Sequence, residues 1–395
     1  MNNDFEILRN ICEDALYTKY KSEDAAKKRM ETELHLIDKN DYAYKYLLYR
    51  DIIEKNGLRP SQYSIRGCGA GSIVCYLLDI SKTDPMDDRF PLYYEFFMGY
   101  DGTGNHCVEF NVDQNVYNKV AKYVNEIDPA IEKVNILAHD TCTLVADLER
   151  KTGYYPTDED IHSEVICSLF QSNDALHLDG GSIFGINTGL LGIPGLDKIS
   201  VLRMIEELKP KTFSDMAKLE CLYHGTDVWY TSGEYLVLDG KESIESLVGS
   251  REDMFESLLS YGFPRETAFS YAEILRKGFL AKSKLDFDME AELSEYGVED
   301  WRIWHYNKIK YLFPRAHTAE YLQMELRALY YKLHYPEEYY PLYFELFGNE
   351  LMEDYYFYHP GDDDFSRIML DIEEGTVDSL YQYLVWNESR SRWVP

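Results

Sequence analysis

No stretch of this 395-residue chain approaches the roughly 18–20 consecutive apolar residues that a membrane-spanning helix requires. Met1–Asn10 has neither a basic start nor an apolar run, so no signal peptide is read there and a cytosolic protein is expected. Basic residues are also scarce. Forty Lys and Arg stand against 70 Asp and Glu, giving a formal charge of −30. That balance argues against a general nucleic-acid binder, which relies on cations to neutralise phosphates, while leaving room for a local basic groove. The seven cysteines are odd in number and none forms a C-x-x-C pair, which points to reduced, mostly buried thiols rather than a zinc site or a disulfide framework. Internal repeats and low-complexity linkers are missing too. What is present is ample core material: 45% hydrophobic and 15% aromatic residues, with 35 tyrosines, enough for a folded chain of two or three domains of roughly 100–200 residues each.

Residues 5–55 read as helices, because Leu8, Ile11, Leu16, Leu34, Ile37, Leu48 and Ile52 recur on apolar faces between charged positions. A break at Asn56-Gly57 and Arg59-Pro60 leads to a glycine-rich turn, Arg66-Gly67-Cys68-Gly69-Ala70-Gly71-Ser72, which opens an apolar helix at Ile73. Such a turn aims backbone N–H groups and a positive helix end outward, an arrangement that suits a phosphate; it serves equally as a tight packing turn. Strand character is read over 92–97 and again over 108–112, separated by the turn at 101–104. Alternation in the second strand puts Val108, Phe110 and Val112 on one face and Cys107, Glu109 and Asn111 on the other. A helix is predicted over 114–126 and a short strand over 134–137. From about 141 the pattern is helical, and 345–395 is acidic.

These motifs resemble one family, the bacterial replicative DNA polymerases of the C family, the α subunit of DNA polymerase III and its PolC type in particular. Arg66 to Val74 is similar to that family's R-G-S-G-A-G-S-L-V, and Ile80 to Pro85 to the I-T-x-x-x-P that follows it. Lys209–Phe213, Tyr223–Trp229, Arg276–Gly278 and Lys308–His317 resemble the PolC fingers motifs R-P-K-T-F, S-H-G-T-D-V-W, R-K-G and K-I-K-Y-M-F-P-K-A-H, in the same order. The resemblance implies an α+β architecture. A nucleotidyltransferase palm of the polymerase-β type would occupy 1–140, a mainly helical fingers domain 141–345, and an acidic C-terminal extension 346–395.

In that family three aspartates hold two Mg²⁺ ions, which supply most of the charge stabilisation in phosphoryl transfer. Phe97 to Asn111 resembles, without a gap, F-L-G-F-K-G-D-K-V-P-D-I-D-L-N, and Lys133 to Asp140 resembles K-L-D-I-L-G-H-D. The metal aspartates therefore fall on Cys107, Glu109 and Asn135. One carboxylate of three remains. A thiol is a soft ligand and an amide a neutral one, both poor matches for a hard cation. Glu109 is the one candidate metal ligand, and Glu109, Asp113 and Asp140 are the alternative set for a rebuilt site. Only 26 positions separate Glu109 from Asn135, whereas the family inserts its thumb there.

The resemblance also implies residual nucleotide binding by Arg66, Gly71 and Ser72, and a cationic surface of Arg276, Lys277, Lys308, Lys310, Arg315 and His317. The leading expectation is a catalytically degenerate PolC-like protein that binds a nucleotide, a replisome component or a mobile-element partner. It would have weak affinity for duplex DNA and no cofactor, with Mg²⁺ the ion if activity remained. The alternative is an active polymerase or nucleotidyltransferase with relocated carboxylates. A third reading has the acidic tail docking on a basic partner.

Overall fold

The computed structural model describes residues 3–21, 23–127, 133–176, 187–277, 287–358, 385–387 and 392–394. Three helices open the chain: α1 (Asn3–Tyr20), α2 (Asp24–Lys39) and α3 (Ala43–Asn56). Each exists because its apolar residues recur every three or four positions. Phe5, Leu8, Cys12 and Leu16 form the buried stripe of α1, and Ala26, Met30, Leu34 and Ile37 that of α2. Gly57, at φ 61°, takes the left-handed conformation that ends α3.

These helices cover a three-stranded sheet of order β1-β2-β3, formed by Tyr63–Arg66, Glu109–Val112 and Ile136–Ala138. β1 runs antiparallel to β2, and β2 parallel to β3. Val108, Phe110 and Val112 are all buried, as their alternation predicts, with the Phe110 ring 6.2 Å from that of Tyr49. The glycine-rich turn follows β1 and opens α4 (Ile73–Leu77). α6 (Gln114–Asn125), close to the expected 114–126, follows β2, and β3 leads into α7 (Asp140–Thr152).

The strand expected over 92–97 is replaced by a helical turn, α5 (Glu95–Met98). Neighbouring aromatics there serve two different cores. Phe96 packs on Phe255 and Phe269, at 5.6 and 5.3 Å between ring centroids, while Phe97 meets Tyr46 and His106. The turn closes at Gly99, whose φ of 79° would strain any residue with a Cβ.

From α7 onward the chain is helical. α8 (Asp158–Ile161), α9 (Glu164–Ser168), α10 (Ile199–Leu208), α11 (Phe213–His224), α12 (Glu234–Leu238), α13 (Arg251–Ser260) and α14 (Arg265–Leu275) precede α15 (Phe287–Glu295) and α16 (Asp300–Lys308). α17 (Arg315–His334) follows, and α18 (Pro336–Tyr358) crosses the position where the acidic extension was expected to begin. The remainder of that extension, apart from a small antiparallel pair at Val385–Asn387 and Arg392–Val394, lies outside the described residues.

α17 joins the two halves: sixteen of its twenty residues are buried, and it packs on β1 and the glycine-rich turn on one side and on α7 and α11 on the other. A helix so enclosed draws partners for its polar groups from inside the fold, although Glu320 Oε2 and Glu325 Oε2 are buried without one. Glu320 does so by accepting hydrogen bonds at one oxygen from Ser81 Oγ (2.6 Å), Lys82 N (2.9 Å) and Thr83 N (3.0 Å). No helix among the described residues is long and apolar enough to cross a membrane.

Candidate functional site

Pairing across the sheet sets one polar row. Arg66 at the end of β1 lies opposite Glu109, the first residue of β2. Glu109 in turn meets Asn135, just ahead of β3, whose Nδ2 donates to Glu109 Oε1 at 2.7 Å. The row thus brings Arg66, Glu109 and Asn135 together, with Asn135 exposed and the other two half-buried. Cys107, half-buried and not in a disulfide, sits two residues ahead of Glu109 in the loop leading into β2. That loop is fastened by His106, buried at φ 47°, which joins Tyr46 Oη at 2.8 Å and Gly102 O at 3.0 Å through its two ring nitrogens. Burial lowers the His106 pKa to about 4, so its ring is neutral.

The row carries one carboxylate, and that carboxylate already accepts an amide hydrogen bond. A pair of divalent ions requires several converging anionic oxygens. Among the described residues no three His, Cys, Asp or Glu side chains are grouped to hold a metal ion. Asp113 and Asp140 do not join Glu109. Asp113 follows the last residue of β2, four strand positions or about 13 Å from Glu109, where it caps α6 by accepting from Asn115 N at 2.9 Å. Asp140 starts α7 at the same far end and accepts from Gln114 Nε2. The residues present do not fit the two-metal arrangement.

Behind the row, Asn111 continues the same face of β2. Its Nδ2 donates to Tyr321 Oη on α17 at 3.1 Å, and its Oδ1 is buried without a partner. From Tyr321 a ladder of rings runs both ways: His139 at 5.4 Å, and His317 at 4.9 Å, followed by Phe313 and His224 at 4.9 Å each. Desolvation lowers the pKa of all three histidines, and for His317 the Arg66 charge adds to it, taking that ring down to about 3. His317 is therefore a neutral stacking ring and not the cation expected from sequence. Arg66 Nε and His139 Nδ1 are buried and without hydrogen-bond partners. The wall so formed carries half-buried rings and the Arg66 side chain, with Arg66 Nε and His139 Nδ1 enclosed behind it. Sequence reasoning missed Asn111 as a contact, His139, His224 and Tyr321; the placement of His139 at the end of β3 was the available signal.

The donors where the glycine-rich turn opens α4 are taken up inside the fold. Glu33, fully buried on α2, accepts from Ser72 Oγ at 2.7 Å, Ile73 N at 3.1 Å and Val74 N at 3.3 Å. Arg29 Nε holds the same carboxylate at 2.6 Å. An internal anion thus occupies the helix start that sequence assigned to a phosphate. Gly71 is buried against the Tyr93 carbonyl, which a Cβ would approach to 2.8 Å, so its role is close packing. Cys68, within the turn, receives an N–H from Arg251, which also reaches Phe96 O at 3.3 Å.

The expected cationic surface is divided: Arg315 is buried, Arg276 and His317 are half-buried, and Lys277, Lys308 and Lys310 are exposed. Arg315 is buried and bidentate to Glu256 at 2.6 and 2.7 Å, with Asp253 Oδ1 at 2.6 Å and Pro91 O at 3.1 Å. These carboxylates hold the Arg315 pKa well above its ordinary value against the opposing cost of burial. Arg276 donates to Glu273 at 2.8 Å, and Lys310 is ion-paired with Asp227. Lys277 is exposed at the end of α14, and Lys308 is exposed over the Trp304 ring.

The comparisons with known proteins bear on this geometry. Residues 6–143 match the family described as the bacterial DNA polymerase III alpha NTPase domain, and residues 139–260 match the bacterial DNA polymerase III alpha subunit finger domain. Over this span the chain belongs to the bacterial DNA polymerase III alpha family, with a palm followed by fingers. Its relatives are of the PolC type: DNA polymerase III PolC-type of Mycoplasmopsis pulmonis is 38% identical over 224 residues, and that of Streptococcus suis 36% identical over 225. The one from Clostridium perfringens is 33% identical over 230 residues. Each match takes in 56–58% of this chain and only 15–16% of the relative.

Proposed function

We propose that this chain is a PolC-related protein that has given up polymerase chemistry and acts as a binding or regulatory protein in DNA replication or in a mobile-element context. The observation that carries the reading is the Asn135–Glu109 hydrogen bond, at positions where the resemblance puts metal aspartates. Two of the three carboxylates are replaced by groups without negative charge. The electrostatic stabilisation that phosphoryl transfer draws from its metals therefore has no anchor.

The largely half-buried ring ladder and the half-buried Arg66 side chain support a role in binding, since a flat base or an anionic group is matched by rings and a guanidinium. Only α6 among the described residues lies between β2 and β3, where the family carries its thumb, so the grip on duplex DNA is expected to be weak. The partners proposed are a nucleotide, a replisome component or a mobile-element protein. The working place is the cytosol, and no resident cofactor is required.

Primer extension on a primed template with Mg²⁺ or Mn²⁺ tests the reading. No product is expected, and robust extension that Glu109→Ala abolishes would overturn it.

A further inference from the structure

The interior of the fingers holds charged groups that neither the candidate site nor the joint to the palm uses. Glu220 on α11 and Glu325 on α17 are 4% and 6% exposed, their helices pack on each other, and the two carboxyls interact. Glu220 Oε1 and Glu325 Oε2 are buried without a partner. Glu325 Oε1 lies against Gly195, where a Cβ would come within 2.4 Å of it. Two carboxylates cannot face each other in an apolar interior while both are charged, because neither attraction nor solvent offsets the repulsion. The contact requires a proton between them.

The groups facing the pair do not supply a countercharge. Asp197, from the loop ahead of α10, adds to the negative potential at Glu325, and it accepts from Tyr343 Oη on α18. Tyr321 lies one turn before Glu325 on α17, and Tyr339 Oη on α18 donates instead to Gly192 O at 2.7 Å. Lys332 on α17 is buried with its ammonium on the carbonyls of Gly189 (2.7 Å) and Leu191 (2.5 Å), where it faces Asp197. His224 ends α11, and burial lowers its pKa. Among the described residues no ion pair joins a Lys or Arg to either glutamate of the pair.

We propose that Glu220 and Glu325 form a proton-dependent latch that fastens α11 to α17 while they share a proton and loosens it when the proton leaves. Burial, and then the neighbouring carboxyl, raise the pKa of Glu220, and burial raises that of Glu325 to about 7. The closed state retains a proton that an opened state, with ordinary glutamate values near 4.5, gives up. Stability of the closed state therefore falls as pH rises from about 4.5 to 7. Lys332, whose pKa burial lowers to about 7, is charged in both states below that value and contributes no slope there. The window from about pH 5 to 7 thus isolates the carboxyls.

Glu220→Gln supplies a neutral donor in place of the shared proton. Hydrogen exchange of the α11 amides, corrected for intrinsic rate, reads the opening constant of full-length wild type and variant. The ratio of wild-type to E220Q opening constants is expected to rise roughly tenfold per pH unit between about pH 5 and 7, and His224, common to both proteins, cancels. A ratio that stays constant overturns the latch. Should E220Q fail to fold, Glu325→Gln makes the same test with the same two outcomes.

Discussion

Two regions of this molecule carry inherited motifs, and they have been treated in opposite ways. Inside the palm and at its joint with the fingers, buried charges are engaged within the fold. Arg315 sits among Asp253 and Glu256, Glu33 gathers the start of α4 with Arg29, and Glu320 binds the 81–83 turn. Across the sheet, the row of Arg66, Glu109 and Asn135 holds one carboxylate, which accepts from the Asn135 amide. The difference separates two reasons for a motif to persist. R-G-x-G-A-G-S and F-P-x-A-H make packing contacts that hold the halves together whether or not chemistry follows, whereas the proposed loss of metal positions leaves the row across the sheet with no such task.

Substitutions sharpen that contrast, starting with the joint. Arg315→Ala leaves Glu256 without its cation and Asp253 with Lys218 alone, and about 3 kcal/mol of stability should be lost, as read by urea denaturation. A loss below about 1 kcal/mol, the range of an exposed pair, would show that the network is not the fastening it resembles. Glu33→Ala strips the acceptor from Ser72 Oγ and two backbone N–H groups, for an expected loss of roughly 1–3 kcal/mol. A thermal melt together with amide exchange over 72–78 locates that damage. Lys310→Ala removes a half-exposed ion pair with Asp227 and should cost about 0–1 kcal/mol. Asn135→Ala, at an exposed position, should stay within about 0.5 kcal/mol of wild type. If its denaturation midpoint instead fell as far as that of Glu33→Ala, the row would be a structural element and the contrast would fail.

Much of the architecture was legible in sequence. The alternation over 108–112 placed Phe110 in the core and Glu109 on the polar face, and α6 and β3 fell close to their expected positions. β1 went unread because Tyr63-Ser64-Ile65-Arg66 is too short to announce a period. The 92–97 run misled because its aromatics divide between two cores, which a strand pattern cannot express. The site was legible in its positions and illegible in its pairings. Arg315 and Asp253 are 62 residues apart, and Ser72 and Glu33 39 apart, so no local pattern reveals that those charges already have partners inside the fold. His317 reads as a cation until its ring is seen beside Arg66 and two other histidines, where burial keeps it neutral.

The central claim is that the row across the sheet no longer has the charge to hold divalent ions, and a Mn²⁺ titration tests it most directly. Calorimetry on wild type and on the triple variant Cys107→Asp/Glu109→Asp/Asn135→Asp compares one carboxylate with three on the same backbone. Saturable binding is expected in the triple variant alone. Wild-type saturation at matching affinity, lost in Glu109→Ala, would contradict the account.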